Sequence, residues 1–253
     1  MNESSSKTLI LLLALSALFL LSVSCSGISD AGSYVTYAVR EELKDNTEDK
    51  DETDYNMEDE EIILSQPEMV SDISLEEALS IRRSIRSYSS RELSLDQISQ
   101  ILWAAQGITK ESTGGRTSPS AGALYPLEIF LLKSDGVFHY IPDGHRIVRI
   151  GPEDLREKLV RGALFQSFIA EAPVNLIITA VYERTTAKYG NRGIQYVHLE
   201  AGHACQNILL QTAALGLGAV PVGAFDDSYV QDLLDLPQDH VPLYIIPIGY
   251  PGD

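Results

Sequence analysis

Residues 127–141 read LEIFLLKSDGVFHYI: Leu127 to Lys133 and Gly136 to Ile141 are β-rich runs, and Ser134-Asp135-Gly136 joins them with residues that favour a tight turn. This is a hairpin signal, so the pair is antiparallel. Val174 to Tyr182 (VNLIITAVY) and Leu243 to Gly249 (LYIIPIG) read as further, more buried strands. Between these strands lie a helix from about Pro152 to Arg161, a long helical segment from about Gly193 to Leu217 and a short helix from Ser228 to Leu236. Helices and strands do not alternate regularly, which argues for an α+β layer arrangement over a doubly wound parallel sheet. No internal repeat is visible.

On the N-terminal side of the hairpin the chain announces two helices by their caps. Ser74-Leu75-Glu76-Glu77 has the spelling of a capping box and predicts a helix to about Arg83. Ser94-Leu95-Asp96-Gln97 repeats the device, with Ile98, Ile101, Leu102 and Ala105 on one face and Gly107 as the stop. The two helices bracket an Arg-rich segment.

The first 24 residues are of another kind. Lys7 is followed by Leu9 to Val23, apolar apart from Ser16 and Ser22, and then by Ser24-Cys25-Ser26. That length suits a signal-peptide core better than a spanning helix of about 20 residues. Cys25 resembles a lipoprotein processing site, although Ser22 stands where a larger aliphatic is usual; an uncleaved anchor and simple cleavage are the alternatives. Each implies an extracytoplasmic domain held at, or released from, a membrane. Residues 25–69 read as a disordered acidic tether, because Glu41 to Glu61 holds twelve carboxylates against Lys44 and Lys50 and cannot bury enough apolar surface to offset ordering entropy. The globular domain is expected over 70–253.

The whole chain has 253 residues and a formal net charge of −17. From Val70 onward fifteen Lys and Arg stand against twenty-one Asp and Glu, with no basic stripe, so nucleic acid is not an expected partner. Cys205 is the one cysteine besides Cys25, which gives no disulfide framework, and it reads as a small buried hydrophobe.

Three segments could carry chemistry. Arg82-Arg83-Ser84-Ile85-Arg86 offers planar, permanently charged donors suited to phosphate, or else a solvated basic patch. Arg116 to Pro126 (RTSPSAGALYP) supplies hydroxyls and a glycine just before a strand, where backbone amides can approach a ligand. Gly216-Leu217-Gly218 invites a dinucleotide fingerprint but lacks the third glycine and follows a helix, so a Rossmann reading fails. His198, Glu200 and His203 look metal-like, but histidines five apart diverge around a helix, and no metal is expected.

Taken together, SIRRSIRSY, RTSPSAGALYPLEIFLL, KYGNRGIQYVHLEAGHACQN and LGLGAVPVGAFDD resemble the nitroreductase superfamily, most closely its SagB-type, azoline dehydrogenase-like branch, from Ile73 to about Pro251. The resemblance implies a nitroreductase-like fold with a central, mostly antiparallel sheet flanked by helices. It also implies an FMN cofactor at a homodimer interface, NADH or NADPH as electron donor, and hydride transfer through flavin N5 to or from a small quinone, nitro compound or heterocycle. By the match, Arg82, Arg83, Ser84 and Arg86 hold the FMN phosphate and ribityl chain, Ser118 and Ser120 lie along the flavin, and Gly223 and Ala224 place amides near the ring. Lys188 and Tyr189 match the catalytic Lys-Tyr pair of that branch, a phenol beside an ammonium, both tunable by burial. The alternative is a catalytically silent surface protein that keeps the fold as a flavin-binding or interaction module.

Overall fold

The hairpin forms in the register its turn implies, with Lys133 opposite Gly136 and Ile129 opposite Tyr140, in the computed structural model, which describes residues 60–252. The expected signal segment, Cys25 and the tether as far as residue 59 lie outside the described residues. Ahead of the hairpin come β1 (Glu61–Ile63), α1 (Leu75–Ile81), α2 (Leu95–Gln106), β2 (Ile108–Lys110) and β3 (Gly115–Arg116). The hairpin is β4 (Leu127–Lys133) and β5 (Gly136–Ile141). After it follow β6 (Arg146–Gly151), α3 (Arg156–Gly162), α4 (Phe168–Glu171), β7 (Val174–Val181), α5 (Glu183–Tyr189), α6 (Arg192–Ala214), β8 (Gly218–Ala219), α7 (Asp227–Leu233) and β9 (His240–Gly249).

The main sheet has the strand order β1-β6-β5-β4-β7-β9-β8, and each of its pairings is antiparallel. The pleat sends alternate residues to two cores. Ile129 and Leu131 of β4, Leu176 and Ile178 of β7, and Ile246 and Ile248 of β9 pack under α2 and α6. Phe130 and Leu132, Ile177 and Ile245 point the other way, onto Leu159 of α3, Ile169 of α4 and Val230 of α7. Covered on both faces, β7 is buried along its whole length, which is why its sequence is a near-continuous apolar run.

The caps fix the two leading helices. Ser74 Oγ accepts from the Glu77 amide, and at α2 the box is reciprocal, with Ser94 Oγ accepting from the Gln97 amide and Gln97 Oε1 from the Ser94 amide. Gly107 ends α2 as expected. α1 stops at Ile81 rather than Arg83, since Arg82 turns to φ −52, ψ 125.

The sheet also takes in residues that the sequence reading assigned to the tether. Ile62 and Leu64 follow the acidic run directly, Leu64 is buried, and Glu60 and Glu61 meet Arg149 and Arg146 of the neighbouring strand. Apolar burial and paired carboxylates together bring this stretch into the sheet, and the domain begins about ten residues before the expected position 70.

α6 is the axis on which the site is built. Its 23 residues span about 35 Å. Val197, Glu200, Ala201, Ala204, Cys205, Ile208, Leu209 and Thr212 form one buried stripe, while Ile194 and Leu199 face solvent. Cys205 is buried as expected, and burial pushes its thiol up to about 12. Among the described residues, no helix is long and apolar enough to cross a membrane.

Candidate active site

The expected residues fall into two groups at different heights along α6. The first lies on the free side of β8. Ser84 forms a parallel bridge to Ala219, and the Ile85 amide donates to Ala219 O at 3.1 Å. The segment can lie this close because of Gly218, where a Cβ would sit 2.7 Å from Ile85 Cβ. Buried Tyr88 donates its hydroxyl to Ile85 O and Pro247 O, and the Gly252 amide donates to Ser87 O, so the strip is tied to the sheet from both sides. Gly216 ends α6 with φ +70, so both glycines that mimic a dinucleotide fingerprint are spent on packing and termination.

On this strip Arg83, Ser84 and Arg86 are exposed and Arg82 is half-buried. Arg83 Nη1 turns back to Ser80 O and Arg82 O at the end of α1. Among the described residues, no carboxylate lies within salt-bridge distance of Arg82, Arg83 or Arg86. Beside them a cavity of about 200 Å³ is lined by Arg82, Arg83, Leu209, Thr212, Gly216 and Ala219.

Gly223 and Ala224 follow from the same edge. Val222 pairs with Ile245 through both amides, at 2.8 and 3.0 Å, and the chain then leaves the sheet with Gly223 and Ala224 exposed. Ala224 O accepts from Gln166 Nε2, while among the described residues the Gly223 and Ala224 amides have no acceptor. Unpaired amides and guanidinium groups free of carboxylates, presented from one stretch of the sheet edge, are donors suited to an anion.

The second group gathers at the loop before β4. Buried Ser118 donates to Ala105 O at the end of α2 and accepts from Asn207 Nδ2 of α6, so it acts as a bracket between two helices. Ser120 Oγ accepts from the Tyr125 amide at 2.9 Å. Gly122 then turns to φ +67, and a Cβ there would stand 2.8 Å from Tyr189 Oη and 3.1 Å from Lys188 Nζ. The Lys-Tyr pair ends α5 and sits on this glycine. Tyr189 is half-buried and packs edge-on against Tyr196 of α6; Lys188 is exposed.

Sequence reasoning missed what surrounds the pair. Arg116 lies over the Tyr125 ring at 4.4 Å and donates from Nη1 to Gln106 Oε1. Arg184 donates to Tyr125 O and pairs with Glu128, which also bonds His139. Glu200 appeared in the sequence only as a false metal ligand. The structure separates that trio: His198 bonds the Tyr182 hydroxyl, His203 is exposed, and Glu200 is buried on the inner stripe. Its signal was its spacing from Val197 and Ala204, which places a carboxylate on the core face of a helix. Burial pushes the Glu200 carboxyl up to about 7, with the Arg116 charge working against it.

Along α6 the first group meets Leu209 and Thr212, and the second meets Tyr196 and Asn207.

Comparison with known proteins places this architecture. The chain is similar to the crystal structure of a nitroreductase-family protein from Ralstonia eutropha, with a TM-score of 0.71 and 28% identity, covering 76% of this chain and 90% of that one. It is 48% identical over 186 residues to a nitroreductase-family protein of Methanocaldococcus jannaschii, covering 71% of this chain and 92% of the relative. It is 25% identical over 192 residues to the FMN reductase [NAD(P)H] of Bacillus subtilis, covering 70% of this chain and 65% of that protein. The nitroreductase family model matches residues 79–250, a span that takes in both groups of site residues, and the chain belongs to the nitroreductase family.

Proposed function

We propose that this protein is an FMN-dependent oxidoreductase that takes electrons from NADH or NADPH and passes them to a small quinone, nitro compound or heterocycle. The observation that carries the reading is the donor set on the β8 edge: three guanidinium groups with no carboxylate partner among the described residues, and, further along the same edge, the exposed amides of Gly223 and Ala224. Those groups fit a phosphorylated flavin, with cations for the phosphate and N–H donors for a ring that gains negative charge. Family membership and the FMN reductase of Bacillus subtilis support the same cofactor.

When bound, FMN supplies hydride exchange at N5 with the nicotinamide and with the substrate. The chain's own residues do the rest. Arg82, Arg86 and Ser84 bind and orient the phosphate end; Arg83 joins them if its guanidinium leaves the α1 carbonyls. Ser118 and Ser120 fix the loop along the flavin. Tyr189 holds a transferable proton, and the Lys188 ammonium lies 5.4 Å from its ring centroid.

A homodimer is part of the proposal. Leu75, Leu79 and Ile81 on α1, with Ile194 and Leu199 on α6, leave apolar surface exposed in the single chain, and α1 packs on α6. Light scattering of FMN-loaded protein at micromolar concentration reads this directly, and a monomer contradicts it. The SagB-type branch is supported by the seat that Gly122 gives to Lys188 and Tyr189. The apolar N-terminal run supports export and attachment to a membrane, with Cys25 as the lipidation site.

Steady-state oxidation of NADH and NADPH tests the enzyme reading. Turnover that requires both FMN and an added acceptor is expected. Bound FMN with no turnover by any such acceptor would establish the silent module instead.

A further inference from the structure

The loop under the Lys-Tyr pair holds a disfavoured shape. Gly122, Ala123 and Tyr125 have φ of 67, 55 and 46, and two of these three are not glycine. Left-handed backbone at a residue with a Cβ persists only where the surroundings over-determine it. Within the loop, the Ala123 amide donates to Ser120 O and the Tyr125 amide to Ser120 Oγ. From outside it, Arg116 stacks on the Tyr125 ring, and Arg184 Nη1 donates to Tyr125 O at 3.1 Å.

Of these ties, the one from Arg184 comes from the helix that carries the pair. Arg184 stands four residues before Lys188, on the same face of α5. α5 therefore meets the loop at two points one turn apart, Arg184 at Tyr125 and the Lys188–Tyr189 pair at Gly122. The same Nη1 pairs with Glu128 Oε1, so its two protons go to a loop carbonyl and a strand carboxylate. Glu128 is fixed in the sheet. Its backbone stands opposite Thr179 of β7, the strand that leads into α5, and its side chain is 15% exposed. His139 Nε2 bonds the other carboxyl oxygen at 2.8 Å, and the His139 ring is itself stacked on Phe130. Burial pushes the Glu128 carboxyl up, but the His139 hydrogen bond and Arg184 together hold it below its ordinary range, so it stays an anion. A fixed anion is a rigid peg for a guanidinium group.

We propose that Arg184, pegged by Glu128, is a positioning residue for the Lys188–Tyr189 pair: it sets the distance between α5 and the left-handed loop whose Gly122 seats both side chains. The inference rests on the proposed role of that pair, and Arg184 acts on it through the Tyr125 carbonyl. Its removal leaves Glu128 the His139 bond, so the fold should survive Arg184→Ala.

The test uses the full-length, FMN-loaded protein, with NADH as donor and menadione as the probe acceptor. Arg184→Ala should lower kcat by about 10- to 100-fold and change KM for menadione by less than about threefold, as expected of a misplaced catalytic group. FMN occupancy and the thermal midpoint should hold. Hydrogen exchange at the Ala123 and Tyr125 amides, which needs no turnover, should become roughly tenfold faster, the effect of one lost hydrogen bond on the loop. Arg184→Lys should restore most of both losses, because the contact uses one nitrogen and not a planar fork. In a Tyr189→Phe background Arg184→Ala should slow turnover no further, whereas a general loss of structure would add. Should Arg184→Ala not fold, Arg184→Met keeps the apolar stem and gives the same readings. Unchanged exchange in the variant that removes the guanidinium, or a kcat loss that adds in full to that of Tyr189→Phe, would overturn the proposal. A fully active Tyr189→Phe would sink the role of the pair alone, and the exchange result would still decide whether Arg184 holds the loop.

Discussion

At the β8 edge the candidate residues are exposed and cationic, and among the described residues Arg82 and Arg86 meet no carboxylate. At the Gly122 loop they are packed, cross-tied and strained. An exposed guanidinium gains energy only when a ligand arrives, so the first region can be altered with small effect on the fold and large effect on affinity. A left-handed loop held by internal hydrogen bonds stores its cost in the protein itself, so the second region trades stability for position. In the proposed reading, binding falls to the β8 edge and chemistry to the Gly122 loop.

The division predicts opposite failures. Tyr189→Phe should leave FMN occupancy intact and slow turnover by about 100-fold or more, the scale of a lost general acid or base. Equal loss of flavin in that variant would erase the distinction between the regions.

Next in size is a pH effect from the buried Glu200 carboxyl. The folded-state value of Glu200 is raised from 4.5 to about 7, so the stability penalty is absent below 4.5, grows as pH rises through that window and is complete above 7. Denaturant melts should therefore show wild type losing about 3 kcal/mol relative to Glu200→Gln between pH 4.5 and 8. Parallel curves would mean that the carboxyl is hydrated in the folded protein.

Arg86→Ala should lower FMN affinity by roughly ten- to a hundredfold, the loss of one charge-assisted contact, while whatever flavin remains bound still turns over. The effect sharpens the comparison if thermal stability without FMN is unchanged. Smallest is the effect of starting the protein at residue 70 instead of residue 60, which removes β1 and buried Leu64 and should cost about 2 kcal/mol in a denaturant melt.

How far the sequence announces all this depends on what each residue faces. The β4–β5 hairpin, β7 and the caps at Ser74 and Ser94 were legible, because apolar periodicity and cap chemistry are local signals. β6 was not: Arg146 and Arg149 flank Ile147 and Val148 with no period-two alternation, and their partners Glu61 and Glu60 were counted with an acidic tether. α5 hid as a loop because its seven residues lack a side-chain N-cap and include two threonines. At the site, the exposed arginines and the exposed glycine loop could be named from residue type and resemblance. The segment that carries Arg116 and Gly122 could be named too, but not what it touches, since the seat under Lys188 and Tyr189 and the stacking of Arg116 on Tyr125 are contacts between elements that no short spacing encodes.

The central claim is that this chain holds FMN on the β8 edge. It is tested most directly by the absorbance spectrum of the purified full-length protein, before and after denaturation. A yellow protein with a flavin spectrum, releasing FMN on unfolding and losing most of it in Arg86→Ala, is the expected result. A colourless protein that shows no bound flavin after incubation with excess FMN and removal of the free cofactor would contradict it.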